Sequence, residues 1–82
     1  MEANGTTSLD YLGIGQSARV AQMDLKPAEA QRLMEMGLTV GTEVRLIRRA
    51  PLRYPVVIQA RGSQLSLRKA VARSIRVVVP EQ

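Results

Sequence analysis

The chain of 82 residues contains no cysteine, no histidine, no phenylalanine and no tryptophan. Without cysteine it can form no disulfide and offers no thiolate to a metal. Without histidine it lacks the commonest transition-metal ligand and the commonest general base of enzymes. Its whole aromatic content is two tyrosines, so the core has to consist of Val, Leu, Ile, Ala and Met. Such a core suits a small β-barrel, whose interior has little room for large rings.

No residue pattern of a catalytic or metal site is present. The five serines have no histidine partner, and a serine–lysine pair depends on a geometry that a sequence does not show. The seven acidic residues are scattered rather than arranged as in a calcium-binding loop. Methionine fills gaps in cores more often than it binds metals, and we expect this of Met23, Met34 and Met36. We therefore predict a protein that is not an enzyme and has neither a cofactor nor a metal site.

The charge is strongly basic, and the apolar segments are short. Ten arginines and two lysines face seven acids, giving a net charge of +5. This balance favours an acidic protein, a nucleic acid or an anionic membrane surface as partner, without choosing among them. Apolar runs such as 77–79 are far too short to span a bilayer. Residues 1–7 lack the basic start and apolar segment of a secretory signal, so we expect a cytoplasmic protein.

The stretch from Gln31 to Pro55 organises the chain. Gly37 stands where a helix needs a residue with positive φ after its last turn, a conformation that costs glycine little. Leu38 should then fold back onto Leu33, the contact that accompanies such a helix end. We expect Ala30, Leu33 and Met34 to form the buried stripe of this helix.

The remaining elements follow from periodicity and from turn residues. A length of 82 residues allows one domain, which we place at residues 8–80 after a disordered tail over residues 1–7. The pattern predicts a mainly β fold: a small, strongly bent barrel of about five strands, with one short α-helix inserted after the first strand. The predicted segments are a helical turn at 8–12, strands at 17–23, 43–50, 56–60, 64–67 and 75–79, a helix of about ten residues from Pro27, and a helical turn at 68–74.

Two features could bind a partner. The first is a set of basic residues near two strands, comprising Arg45, Arg48, Arg49 and Arg53, and Arg68, Lys69, Arg73 and Arg76. This set is either a binding face or simply a solvated surface. Proteins that bind single-stranded nucleic acid usually display aromatic platforms, and only Tyr11 and Tyr54 are available here.

The second feature is the loop from Pro51 to Pro55, which has proline at both ends and carries Leu52, Arg53 and Tyr54. Tyrosine and arginine are enriched at the energetically dominant positions of protein interfaces. The loop is therefore either an interface anchor or a cover for the end of the barrel.

The order of these features resembles the FeoA family, ferrous iron transport protein A, from about Leu9 to Val79. The resemblance is carried by Arg32–Leu38, Gly41, Ala50–Leu52, Pro55, Leu65–Lys69 and Ala72. It implies an SH3-like β-barrel. It also implies a small cytosolic accessory of a ferrous iron transport system that docks on FeoB, a membrane transporter with a cytosolic GTPase domain.

One position departs from the family pattern. The family's loop commonly has the sequence Ala-Pro-x-Gly-Asp-Pro, and here Arg53 and Tyr54 replace the glycine and the acid. The loop is bulkier and more basic as a result. The candidate partner-binding residues are Leu52, Arg53 and Tyr54, with Arg48, Arg49, Arg68 and Lys69 as a charged rim.

Two further interpretations remain open. One is a basic nucleic-acid-binding SH3-like barrel that uses the arginine face. The other is self-association of the chain through Leu52 and exposed strand edges.

Overall fold

The computed structural model describes residues 5–80. The elements in chain order are β1 (Thr7–Ser8), a 3₁₀ turn (Leu9–Tyr11), β2 (Ser17–Met23), α1 (Pro27–Glu35), β3 (Glu43–Arg49), β4 (Val56–Ala60), β5 (Ser63–Leu67), α2 (Lys69–Ser74) and β6 (Ile75–Val78). All strand pairs are antiparallel, in one six-stranded sheet of order β1-β6-β2-β3-β4-β5. No helix within residues 5–80 is long and apolar enough to cross a membrane.

The core is entirely aliphatic, as expected from the composition. Alternating residues of the strands enter it, for example Val44 and Leu46 of β3 and Leu65 and Leu67 of β5. The pairing register shifts within β2–β6 and within β3–β4, and such bulges bend and twist a sheet. The largest fully buried side chains are Leu9, Leu38, Leu46, Ile58, Ile75, Val20, Val44, Val56 and Val77.

The end of α1 confirms the predicted helix stop. The Gly37 amide donates to the Met34 carbonyl at 3.0 Å, and the Leu38 amide donates to the Leu33 carbonyl at 2.9 Å. These two bonds define a Schellman motif, in which the residue after the helix has positive φ; φ of Gly37 is +97°. The side chains of Leu33 and Leu38 are both buried in the core.

Met34 corrects the predicted buried stripe, since its side chain is 50% exposed and that of Met36 is 46% exposed. Of α1, only Leu33 is fully buried, with Ala30 partly so. The Schellman reversal places Leu38 in the core beside Leu33, so this end of the helix contributes Leu33 and Leu38 to the core while Met34 stays exposed. Met23 is partly buried against the core, as expected.

The first ordered strand begins earlier than expected. We predicted a tail through Thr7, but Thr7 pairs with Val77 in β1, and Arg76 donates to the Thr6 hydroxyl at 3.2 Å and to the Thr6 carbonyl at 3.0 Å. The expected tail also includes residues 1–4, which lie outside the described part of the chain. The mainly β prediction is confirmed: the five expected strands are present, β1 makes a sixth, and α1 follows the first of the five.

The fold brings four segments to one end of the sheet. The predicted helical turn at 8–12 is confirmed as the 3₁₀ turn, with Ser8 as its N-cap. The Ser8 hydroxyl donates to the Ala72 carbonyl of α2 at 3.3 Å. The end of β3 and the loop that follows it reach the same turn through Arg49 and Tyr54.

Candidate partner-binding surface

The loop between β3 and β4 is closed by backbone hydrogen bonds at its base. The Ala50 amide donates to the Pro55 carbonyl at 3.1 Å, and the Arg53 amide donates to the Ala50 carbonyl at 2.7 Å. Prolines at both ends restrict the backbone further. Leu52 lies at the tip with 90% of its surface exposed. The prediction of a loop at 51–55 is confirmed, and the loop presents an apolar side chain to solvent.

A buried carboxylate holds this loop from below. Asp10 is 3% exposed, and the Tyr54 hydroxyl lies 2.7 Å from each of its two carboxylate oxygens. Arg49 Nη1 donates to Asp10 Oδ1 at 3.3 Å, while Arg49 Nη2 donates to the Leu12 carbonyl at 3.2 Å and also to the Asp10 carbonyl. The Asp10 amide donates to the Ser8 hydroxyl at 3.2 Å. Because buried polar groups need such partners, the loop and the 3₁₀ turn are joined firmly.

Two further cations lie within 4.0 Å of the same carboxylate, and a third lies beside the Tyr54 ring. Arg53 Nη2 is 3.9 Å and Arg73 Nε is 4.0 Å from Asp10 Oδ2, and both side chains are more than half exposed. The Tyr54 ring has Arg53 Cζ and Lys69 Nζ each 5.9 Å from its centroid, within cation–π range. We call this set the Asp10 cluster: Asp10, Arg49, Arg53, Tyr54, Lys69 and Arg73.

Arg53 keeps its charge under all physiological conditions. The hydrogen bond from Arg53 Nε to the Tyr54 hydroxyl, at 3.4 Å, raises the pKa of Arg53 above its ordinary value, and the negative charge of Asp10 also raises it. The Arg53 backbone has φ of +83°, a region that non-glycine residues seldom adopt. The residue is therefore placed in a costly conformation with a permanent charge at the surface.

The structure brings five of the seven candidate residues together, four in the Asp10 cluster and one at the loop tip, and separates the other two. Arg49, Arg53, Tyr54 and Lys69 belong to the Asp10 cluster, and Leu52 stands at the loop tip. Arg68 instead forms a 2.7 Å ion pair with Glu29. Arg48 is exposed on β3, and within residues 5–80 no ion pair joins it to Asp10. Tyr54 packs against the core, as expected if the loop covers the end of the barrel, while Leu52 is exposed. That the loop is an interface anchor stays a prediction.

Sequence reasoning missed Asp10 altogether and did not place Arg73 with the loop. Asp10 stands between Leu9 and Tyr11 in a turn that the sequence does predict. An acid just after a Ser N-cap is ordinarily a solvated first-turn residue. Its partners Arg49 and Tyr54 are 39 and 44 positions away, so the only usable signal was the expected burial of Leu9 and Leu12 on either side of it.

Shallow surface depressions in the part of the chain that the structure describes lie outside the cluster. One, of about 450 Å³, includes Arg45, Gln59 and Arg61 in its lining. Another, of about 570 Å³, is lined by Lys26, Ala28, Glu29, Arg32 and Arg68. In the described part of the chain no three Asp or Glu side chains come close enough together to hold a metal ion.

The fold and this surface define a small antiparallel β domain that presents a rigid, charged loop. The FeoA domain family model matches residues 7–79, and the chain belongs to this family. The predicted resemblance is thereby confirmed.

Three relatives illustrate the similarity. A candidate Fe(2+) transport protein A of Methanocaldococcus jannaschii is 30% identical over 63 residues, covering 77% of this chain and 74% of that relative. The solution structure of FeoA from Chlorobium tepidum has a TM-score of 0.87 at 32% identity, covering 92% of this chain and 71% of that one. Zinc-complexed FeoA of Stenotrophomonas maltophilia has a TM-score of 0.70 at 31% identity, covering 87% of this chain and 88% of that one.

The Stenotrophomonas protein is described as a procaryotic SH3 domain protein and a candidate ferrous iron transport activating factor. The SH3-like fold is therefore confirmed for this chain. The names of these relatives also link the family to ferrous iron transport.

Proposed function

We propose that this chain is a non-enzymatic, cytosolic accessory of a ferrous iron transport system, and that it docks on the cytosolic part of a FeoB-type membrane GTPase transporter. Membership of the FeoA family supports the link to iron transport. The observation that supports docking most directly is Leu52, 90% exposed at the tip of a loop fixed by a buried carboxylate. Binding residues are found disproportionately on loops that a rigid scaffold positions.

The rigidity of the loop favours affinity. Association costs free energy for every loop and side chain that becomes ordered on binding. The Asp10–Tyr54 and Asp10–Arg49 contacts order this loop before any partner arrives. Tyrosine and arginine around a central apolar anchor are also the residues that dominate interface energetics. Leu52 would supply the anchor, with Arg53 beside it.

The side chains support a regulatory or scaffolding part rather than transport or catalysis by this chain. The 82-residue sequence has no histidine and no cysteine, so the usual ligands and general bases are missing. The zinc complex of the Stenotrophomonas relative is a property of that protein, and the proposal for this chain does not depend on it. In our proposal, ferrous iron passes through the membrane partner and this chain acts by contact.

A binding measurement with the purified cytosolic domain of the transporter tests the proposal. We expect Leu52→Ser to weaken binding at least tenfold, which corresponds to about 1.4 kcal/mol, without loss of stability. Val40→Ser is the matched control, because Val40 is an exposed aliphatic residue in the connection that precedes β3; it should leave binding unchanged. Equal binding by wild type and by the Arg53→Glu/Tyr54→Ala double variant would remove the loop from the proposal.

The nucleic-acid alternative is favoured by the net charge of +5 and by Tyr11, which is 71% exposed. The Tyr54 ring is half-buried and hydrogen-bonded to Asp10, which leaves Tyr11 as the one exposed ring among the described residues. Titration with single-stranded oligonucleotides at several salt concentrations decides this case. Affinity that falls steeply with salt supports it, and no binding at low salt dismisses it.

Self-association is tested on the same samples. Sedimentation of wild type and of Leu52→Ser at matched concentrations shows whether Leu52 or the outer edge of β5 joins two copies. A monomer in both cases leaves Leu52 available for a different partner.

A further inference from the structure

The contacts of the Asp10 carboxylate fall into two groups. The Tyr54 hydroxyl at 2.7 Å and Arg49 Nη1 at 3.3 Å make hydrogen bonds to it. Arg53 Nη2 at 3.9 Å and Arg73 Nε at 4.0 Å do not, because a separation beyond about 3.5 Å is no longer a hydrogen bond. Each guanidinium group has five N–H donors in a fixed fork. Most donors of Arg53 and Arg73 are therefore not used on Asp10.

Side-chain exposure divides the cations into the same two groups, with Arg49 largely buried and Arg53 and Arg73 exposed. The Arg49 side chain is 16% exposed and that of Asp10 is 4% exposed, so these two form an inner, mutually neutralising pair. Arg53 and Arg73 are 53% and 59% exposed, and Lys69 is exposed beside the Tyr54 ring. Two exposed guanidinium groups thus lie within 4.0 Å of a carboxylate that Arg49 already neutralises, and the Lys69 ammonium lies beside the adjoining Tyr54 ring. Their mutual repulsion would be relieved by one more anion.

We infer that the outer cations of the Asp10 cluster, Arg53, Lys69 and Arg73, receive a carboxylate of a partner protein, and that Leu52 receives an apolar side chain next to it. The inference rests on the proposed docking function and specifies the chemistry of the segment that docks. The partner's segment would carry Asp or Glu adjacent to an aliphatic residue. Guanidinium groups match carboxylates in bidentate geometry, and Arg53 of the loop and Arg73 of α2 both lie within 4.0 Å of Asp10 Oδ2.

The apolar tip favours an acidic protein segment over a nucleic acid. Leu52 is 90% exposed and lies one residue from Arg53, so an anion bound at Arg53 places its neighbouring groups against an aliphatic side chain. A peptide can cover that side chain with one of its own, whereas a sugar-phosphate backbone cannot. The Tyr54 ring is flanked by Arg53 and Lys69 and is not available as an open stacking platform for a base.

An NMR titration of the ¹⁵N-labelled full chain tests the inference. The probe is a blocked hexapeptide with alternating Glu and Leu, and its control is the same peptide with Gln in place of Glu. We expect saturable shifts at the backbone amides of Arg53, Tyr54 and Arg73, and at least tenfold weaker binding of the Gln peptide. Addition of salt should weaken binding of the Glu peptide, because the cations are exposed.

Two double variants complete the design. Arg53→Gln/Arg73→Gln removes two outer charges and leaves the Arg49–Asp10 pair intact; it should weaken binding of the Glu peptide at least tenfold. Arg32→Gln/Arg45→Gln removes two exposed charges elsewhere and should change it less than twofold. The dispersion of the amide spectrum shows that each variant is folded.

Several results would overturn the inference. They are equal binding of the Glu and Gln peptides, an equal loss of affinity in both double variants, no saturable shift with the Glu peptide, or an oligonucleotide of thymidines that shifts the same amides at lower concentration.

The binding measurement with the transporter domain separates the two proposals. If the transporter domain binds and the Arg53→Gln/Arg73→Gln variant binds it equally well, docking stands and the carboxylate inference fails. If the Glu peptide binds as expected and the transporter domain does not, docking on the transporter fails and binding of a carboxylate by the outer cations stands.

Discussion

Two connections flank strand β3, and each contains residues with positive φ. The connection before it, residues 36–42, uses glycine: φ is +97° at Gly37 and +93° at Gly41. The connection after it, residues 50–55, uses Arg53 at +83°. The first is fixed by backbone hydrogen bonds to Leu33 and Val20. The second is fixed by side chains that meet at a buried carboxylate.

The residue type at positive φ differs between the two connections. Glycine in residues 36–42 only lets the chain turn, whereas Arg53 in residues 50–55 also places a charged side chain at the surface. Glycine adopts positive φ at almost no cost and adds no group to the surface. Arginine in the same region costs on the order of 1 kcal/mol, and a residue persists there only where its surroundings fix it. At Arg53 the surroundings are the loop hydrogen bonds and the Asp10 cluster. The cost is tolerated where a charge is held beside the exposed Leu52.

The largest expected effect comes from the anchor of the second connection. Asp10→Ala removes the partner of the largely buried Arg49 guanidinium and of the Tyr54 hydroxyl. Leaving a buried charge without its partner costs about 3 kcal/mol or more. Urea unfolding measures the loss. Asp24→Ala, at an exposed aspartate, is the matched control and should change stability by less than about 0.5 kcal/mol. A loss at Asp10 as small as that at Asp24 would show that the loop is held by its backbone alone.

The next effect concerns the glycine at the end of α1. A methyl group at Gly37 would be strained at φ of +97° and would lie 3.4 Å from Arg61 Cδ. We expect Gly37→Ala to lower the free energy of unfolding by about 2 kcal/mol. Gly13→Ala is the control: Gly13 has no positive φ, and its nearest neighbour would be 3.9 Å away. Stability should be unchanged or higher there. A neutral result at Gly37 would contradict the role of the Schellman turn.

Gly41→Ala measures the cost of positive backbone φ alone, without a contact between the added methyl group and a neighbouring side chain. Gly41 has φ of +93°, and no atom lies within 4 Å of a methyl group placed there. The Thr42 amide donates to the Thr39 carbonyl at 3.1 Å, and a turn of this kind with positive φ at its third residue is typical of type II. We expect a loss of about 1 kcal/mol, smaller than at Gly37, by chemical denaturation at equal slope. A loss equal to or larger than that at Gly37 would mean that the contact with Arg61 is irrelevant.

The smallest effect on stability is expected at the arginine of the second connection. Arg53→Gly removes the backbone strain and an exposed charge together, so the free energy of unfolding should change by less than about 1 kcal/mol in either direction. Binding of the acidic peptide should nevertheless fall at least tenfold.

The matched control is Arg61→Gly, because Arg61 also has positive φ, +53°, and lies in the β4–β5 turn. It should leave peptide binding unchanged. A stability loss above about 2 kcal/mol for Arg53→Gly would assign Arg53 to support of the loop rather than to display of its charge.

Local patterns predicted the parts of the molecule that are locally determined. The strands follow from alternation, as with Val44 and Leu46, because side chains on a strand point alternately to its two faces. The stop of α1 follows from Gly37, because one residue type satisfies that backbone conformation cheaply. Met34 was placed wrongly because helical spacing indicates which residues share a face, but not how wide a strip of that face the sheet will cover.

The sequence alone thus determined a small, aliphatic, mainly β domain with a proline-bounded loop, because composition and periodicity constrain each segment independently of its distant neighbours. Only the tertiary structure decided that Asp10 lies beneath that loop, that Tyr54 faces inward while Leu52 faces outward, and that Arg68 pairs with Glu29 instead of joining the cluster. These contacts join residues far apart in the chain. They depend on how the sheet brings its ends together, and no local pattern of residues encodes that closure.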